Sequence, residues 1–195
     1  MAHAPLTLPD PMALLQGVSR SFYLSIRLLP APLREPVGLG YLLARATDTI
    51  ADTAQLAPAL RCQHLAALAH AIEHGNPAPE AIALLAESFA ALQQDPHERR
   101  LITLLPQCLA WLARIDAADR DDIRTVLRHI TRGQALDVER FGQASGVRAL
   151  ANADELNDYT WLVAGCVGEF WTALCARHLP GFARLDTARM NALGR

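Results

Sequence analysis

A chain of 195 residues has room for one substantial domain, and hydrophobic residues at 51% supply ample material for its core. The formal net charge of −2 argues against nucleic-acid binding, because phosphate backbones are held by an excess of Lys and Arg. Arginine supplies the positive charge as a planar fork suited to phosphate groups, although high-GC coding bias gives the same excess.

In chain order the sequence reads as helices separated by Pro, Gly and Asn punctuation. Asp10-Pro11 pairs an N-cap with a proline at the first helical position and predicts a helix toward Arg27, broken at Pro30-Ala31-Pro32. A second helix is expected from Leu33 to Thr53, with Pro36 tolerated only in its first turn. The Ala/Leu-rich stretch from Ala59 to His74 stops at Gly75-Asn76-Pro77, and Glu80 to Gln93 follows. Asp95-Pro96-His97-Glu98 combines an N-cap, an N1 proline and a capping-box acid, and predicts a helix to about Ile115. The next helix spans Asp119 to Phe141 and ends in a Gly142–Gly146 loop. Asn152 to Glu155 forms another capping box that opens a long helix to about His178, stopped by Pro180-Gly181. A last helix begins near Leu185. No stretch alternates with period two for long enough to claim a strand, so the reading is all-α, one domain over 1–195.

Cys62, Cys108, Cys166 and Cys175 form no CxxC pair, which points to reduced thiols and a cytoplasmic protein. The histidines lack metal-binding spacing: His70 and His74 share a helix face with no HExxH context, as a solvated pair would. The N-terminus has no basic region followed by an apolar stretch, so no signal peptide is expected. The most apolar long segment, Trp161 to Leu179, is interrupted by Glu169, Arg177 and His178 and reads as a buried helix rather than a membrane span.

The chemistry concentrates between Leu39 and Thr53. Arg45, Asp48 and Asp52 stand at i, i+3 and i+7, so a helix stacks them along one face among Leu42, Leu43, Ala46, Ile50 and Ala51. Two like charges at i, i+4 cost a lone helix roughly 0.2–0.5 kcal/mol. A divalent cation between the carboxylates reverses that sign, and Mg²⁺ favours one or two carboxylates together with substrate phosphates. On this motif alone a solvated face, with Arg45 relieving the repulsion, is the simpler reading.

The surrounding sequence shifts the balance. Ser19-Arg20-Ser21-Phe22-Tyr23, then Leu28-Leu29-Pro30, then Arg45-x-x-Asp48-x-x-x-Asp52 resemble, in order and spacing, the opening of squalene, dehydrosqualene and phytoene synthases. The segment from Tyr159 through Val163-Ala164-Gly165 to Val167-Gly168-Glu169 resembles that family's Tyr-x-x-x-Val-Ala-Gly-x-Val-Gly-Glu, and Gly133 to Asp137 fits its preceding helix more loosely. The resemblance runs from Ser19 to Leu193.

It implies an all-helical isoprenoid-synthase bundle around a central cavity, with one aspartate motif on each of two facing helices and Mg²⁺ between them. Asp48 and Asp52 fall on the first metal-binding motif, and with Arg45 they are the expected catalytic residues. Ser19, Ser21, Tyr41 and Arg45 fall where the family holds a diphosphate. Val18 stands where some members carry a histidine, and that role is not transferred. Phe22 and Tyr23 are expected on the cavity wall, with ordinary core packing an equal explanation. Tyr159, Val163, Gly165 and Gly168 fit either a close approach to prenyl tails or tight helix packing. Glu169, beside Phe170 and Trp171, is expected to have an Arg partner or to face outward.

The implied reaction joins two farnesyl diphosphates head to head through presqualene diphosphate to squalene, with NADPH if squalene is the product. Phytoene synthesis from geranylgeranyl diphosphate, and dehydrosqualene synthesis, are the alternatives within the family. Peripheral contact with a membrane is compatible with release of so apolar a product. The family's second motif, Gln-x-x-Asn-x-x-x-Asp-x-x-x-Asp, does not occur before Arg195. On that basis the C-terminal part of the bundle is expected to be missing, leaving half a metal site and an inactive 195-residue chain. A non-catalytic helical relative that serves in assembly or interaction is the competing reading.

Overall fold

The computed structural model describes residue 8 and residues 10–19, 21–142, 146 and 149–194, and every regular element among them is helical. Arg20 of the serine motif and most of the expected Gly142–Gly146 loop lie outside the described residues. The expected first helix is two elements, α1 (Pro11–Ser19) and α2 (Ser21–Leu28). The Asp10 side chain accepts from the Ala13 backbone N–H at 2.9 Å, as the cap reading requires.

Helix α3 (Ala31–Asp52) is the central element, and Leu39, Leu42, Leu43, Ala46 and Ile50 on it are fully buried. Fully burying such a side chain is worth about 1.5–3 kcal/mol, so α3 is held chiefly by its apolar face. Pro36 stands inside the helix rather than in the first turn, because α3 starts at Ala31, two residues before the expected boundary. Its C-terminal end is fixed by other segments. Arg61 of α4 (Pro58–His74) donates from Nη1 to the Ala51 carbonyl at 2.7 Å. Gln93, which follows α5 (Pro79–Leu92), donates from Nε2 to Thr53 Oγ1 at 3.2 Å.

The expected Asp95–Ile115 helix divides into α6 (Pro96–Thr103) and α7 (Leu105–Arg114). Pro106 accounts for the division, since it has no N–H to give Ile102 and its ring crowds that carbonyl. Asp95 caps α6 as its pattern foretells, accepting from the backbone N–H groups of His97 and Glu98 at 2.7 and 3.2 Å. Helix α8 (Ala117–Phe141) starts two residues earlier than expected, because Asp116 accepts from the Ala118 N–H at 2.9 Å and takes the cap position.

The long segment predicted from Asn152 is a continuous helical run with a defect. It consists of α9 (Ala153–Thr160), a π-helical turn (Trp161–Gly165) and α10 (Cys166–His178). The turn lies against α8 at Gly133, where an added Cβ would sit 2.9 Å from Val163 Cγ1 and 3.1 Å from Leu162 Cβ. At its far end α10 is tied to the start of α8. Buried Asp119 accepts from Arg177 Nη1 at 2.6 Å and pairs with His178 Nε2 at 2.8 Å, while Arg177 Nη2 meets Asp122 at 2.6 Å. A 3-10 turn (Phe182–Arg184) leads to α11 (Thr187–Gly194), which folds back onto α10. All four cysteines are free thiols. Among the described residues no helix is long and apolar enough to cross a membrane.

Candidate functional site

On α3 the spacing of Arg45 and Asp48 brings them together, and Arg45 Nη1 forms an ion pair with the Asp48 carboxylate. The other arm of the fork, Nη2, pairs with Glu98 from the first turn of α6. Asp52 follows one turn after Asp48, exposed, as the last residue of α3. A carboxylate there opposes the negative end of the helix dipole, an unfavourable placement of about 0.3–1 kcal/mol. Burial, and next the like charge of Asp52, push the Asp48 carboxyl upward although Arg45 pulls it down. The ionised form of Asp48 is therefore locally disfavoured, and a cation beside it would relieve this.

Tyr41 lies one turn before Arg45 and donates to the Val18 carbonyl at 3.4 Å, joining α3 to the end of α1. Burial raises its phenol. Its ring also meets Phe22 of α2, centroid to centroid at 5.6 Å. Phe22 and Tyr41 line an apolar cavity of about 300 Å³ enclosed by α2, α3, α8 and α10. Val126 and Ile130 supply the α8 wall, and Val167, Phe170 and Trp171 the α10 wall. Ala44 also lines it, so cavity and charged face occupy successive turns of α3.

Ser19 is buried and its hydroxyl donates back to Leu15 O at 2.6 Å, turned into the core, whereas Ser21 is exposed. Tyr159 donates to Asp137 at 3.1 Å and borders a second, charged recess with Arg132, Arg140 and Asp158. Burial first, and Asp137 next, raise its phenol. Val163 packs on Gly133 and is 37% exposed, outside the apolar cavity lining. Glu169 accepts a hydrogen bond from Trp161 Nε1 at 3.3 Å.

Glu98 and the α8 and α10 linings were not anticipated from sequence. The lining carries a signal in its spacing, Val126 with Ile130 at i, i+4 and Val167 with Phe170 and Trp171 at i, i+3 and i+4. Glu98 carries none, because its capping-box position already explained it locally.

The sequence profile described as Squalene/phytoene synthase matches residues 15–195. The chain belongs to the squalene/phytoene synthase family. Its fold agrees, since the structure of a trypanosomal squalene synthase in complex with the ligand E5700 superposes with a TM-score of 0.68 at 21% identity. That likeness covers 94% of this chain and 49% of the trypanosomal one, so the chain spans about half the length of the matching synthase. No curated protein sequence matches at a significant level. The family is one of prenyltransferase-type enzymes acting on isoprenyl diphosphates, and the bundle here is its all-α fold.

The residues present fit a magnesium diphosphate. Asp48 and Asp52 offer hard oxygens one turn apart, the kind of donor Mg²⁺ takes while keeping several waters. Arg45 Nε is shielded from solvent and has no acceptor among the described residues, a buried donor that an incoming anion would satisfy.

Proposed function

We propose that this chain supplies the first metal–diphosphate wall and part of the prenyl cavity of a head-to-head isoprenoid synthase. The reaction is the joining of two farnesyl diphosphates through presqualene diphosphate to squalene. The observation that carries the reading is the adjacency on α3 of the Arg45–Asp48–Asp52 face and the 300 Å³ apolar cavity. A prenyl diphosphate has that same division, a charged head on an apolar tail.

Asp48 and Asp52 would hold Mg²⁺, which when bound neutralises charge on a leaving diphosphate. Arg45 places a permanent positive charge beside the same oxygens, where it stabilises charge developing on the departing group. Tyr41 and Phe22 position the tail at the cavity entrance. Phe170, Trp171 and Ile130 exclude water, which would otherwise quench an allylic cation. NADPH would supply a hydride if the product is squalene, and this reading assigns no residue to it.

Binding of farnesyl thiolodiphosphate, which does not ionise, tests the reading through the fluorescence of Trp171 in the cavity wall. The reading expects Mg²⁺-dependent binding that Asp48→Asn abolishes and a signal that Trp171→Phe removes. Binding that needs no Mg²⁺ and survives Asp48→Asn overturns it. In a form that also carries the second aspartate motif, product analysis tests the finer half: squalene from farnesyl diphosphate and NADPH supports it, and a C40 product from geranylgeranyl diphosphate alone replaces it with the phytoene branch.

A further inference from the structure

Arg45 is gripped by two carboxylates of different origin. Asp48 sits on its own helix, three residues on, and Glu98 reaches it from α6 across 53 residues of sequence. Asp95 is the N-cap of α6, and a Cβ on Gly17 of α1 would meet His97 Nδ1 at 2.5 Å, so α1 and α6 are pressed together. Arg99 donates from Nη2 to the Gln93 carbonyl at 2.6 Å and closes the turn in front of α6. Glu98 is thus presented from a braced element, and its side chain is only 24% exposed. It does not belong to the Asp48–Asp52 pair, and the partner found for its side chain is Arg45.

We infer that Glu98 is a positioning residue for Arg45 in the diphosphate-loaded site. This rests on the reading of Asp48 and Asp52 as metal ligands. A carboxylate engaged by Mg²⁺ has less electron density to offer a guanidinium, so loading the site weakens the Arg45–Asp48 pair. Glu98 then remains the tether, holding Nη2 while Nη1, freed from Asp48, faces the anion. The bland alternative is an interhelical ion pair that only joins α3 to α6, which at this exposure is worth little.

The test is calorimetric titration of magnesium diphosphate into the 195-residue chain and into Asp48→Asn, Glu98→Gln, Arg45→Gln and the Glu98→Gln/Arg45→Gln double variant. Thermal midpoints of these proteins and of Glu98→Asp report folding. The expected result is roughly tenfold weaker binding in Glu98→Gln, in keeping with a charged hydrogen bond lost by the arginine. A smaller loss is expected in Glu98→Asp, which keeps the charge one methylene short. In the Arg45→Gln background the Glu98 substitution should cost nothing further, because its effect runs through Arg45. Unchanged or tighter binding by Glu98→Gln, or an equal loss in both backgrounds, overturns the inference. If Asp48→Asn loses binding while Glu98→Gln does not, the inference alone is wrong. If wild type and Asp48→Asn bind alike, or neither binds, the metal–diphosphate reading fails and takes the inference with it.

Discussion

Gly168 and Gly194 meet backbone to backbone, and a Cβ built on Gly168 would stand 2.6 Å from the Gly194 carbonyl carbon. The contact joins α10 to α11, and neither glycine can be enlarged without moving main chain. Gly168→Ala is expected to cost about 1–3 kcal/mol, as overpacking at a rigid contact does. It should release α11 and speed tryptic cleavage at Arg184 and Arg189. Unchanged cleavage kinetics would show that the two helices do not pack this closely.

Gly133→Ala should destabilise the π-turn contact by a similar amount, about 1–3 kcal/mol by denaturant unfolding. Val163→Ala in the same chain should recover part of the loss, since Val163 Cγ1 is the nearer of the two obstructing atoms. Leu162 Cβ remains in place, so recovery is incomplete. Simple additivity of the two substitutions would mean that these residues do not touch.

Asp119 anchors α10 to α8 and stands at only 5% side-chain exposure beneath Arg177 and His178. Asp119→Ala leaves His178 and one arm of Arg177 without their acceptor, and the expected loss is about 3 kcal/mol by thermal or denaturant unfolding. Arg177 keeps Asp122. Asp119→Asn, which retains an acceptor oxygen, should lose less.

His129 stacks edge-on against Trp161 with ring centroids 4.6 Å apart. Burial first, then the charge of Arg128, hold its imidazole below the ordinary 6.5, with Glu169 acting in the opposite direction. The folded state therefore binds this proton less readily than the unfolded chain. Its contribution to stability is fully present above 6.5 and is lost as pH falls through the lower folded value. Comparing unfolding at about pH 7.5 and about pH 5.5 should show a loss on acidification that His129→Phe reduces. An identical pH dependence in the variant would contradict this placement.

Asp48→Asn should stabilise the fold slightly in the absence of divalent cations, by less than about 1 kcal/mol and seen as a small rise in thermal midpoint, because Asp48 is partly solvent-screened. The sign follows from the upward shift of its carboxyl by burial and by Asp52, which makes the ionised form unfavourable in the folded state. A lowered midpoint would mean that the ion pair with Arg45 outweighs both.

What the sequence reveals and what it hides divide along local and tertiary lines. The caps at Asp10, Asp95 and Asn152 are legible because each is settled within four residues. The stacking of Arg45 on Asp48 follows from helical spacing alone. The division at Leu104 is also written locally, in Pro106, but the strong capping pattern before it suggests an unbroken helix. The π-turn at Trp161–Gly165 is not legible, since its residues would serve an ordinary helix and no proline marks the defect. Glu98 is hidden for a different reason: its partner lies on another helix, and a local explanation was already to hand. The inward turn of Ser19 and the assembly of the cavity from α2, α3, α8 and α10 depend on packing that spacing does not encode.

On the proposed reading Asp48 and Asp52 hold a divalent cation together with a diphosphate. Mn²⁺ takes the same hard-oxygen ligands as Mg²⁺ and reports its binding by paramagnetic resonance. Titrating Mn²⁺ into the protein with and without inorganic diphosphate, and into the Asp48→Asn/Asp52→Asn double variant, measures this site without turnover. Diphosphate-dependent Mn²⁺ uptake by the wild-type chain, lost in the double variant, is the expected result. Equal uptake by both proteins, or none by the wild type with diphosphate present, would contradict it.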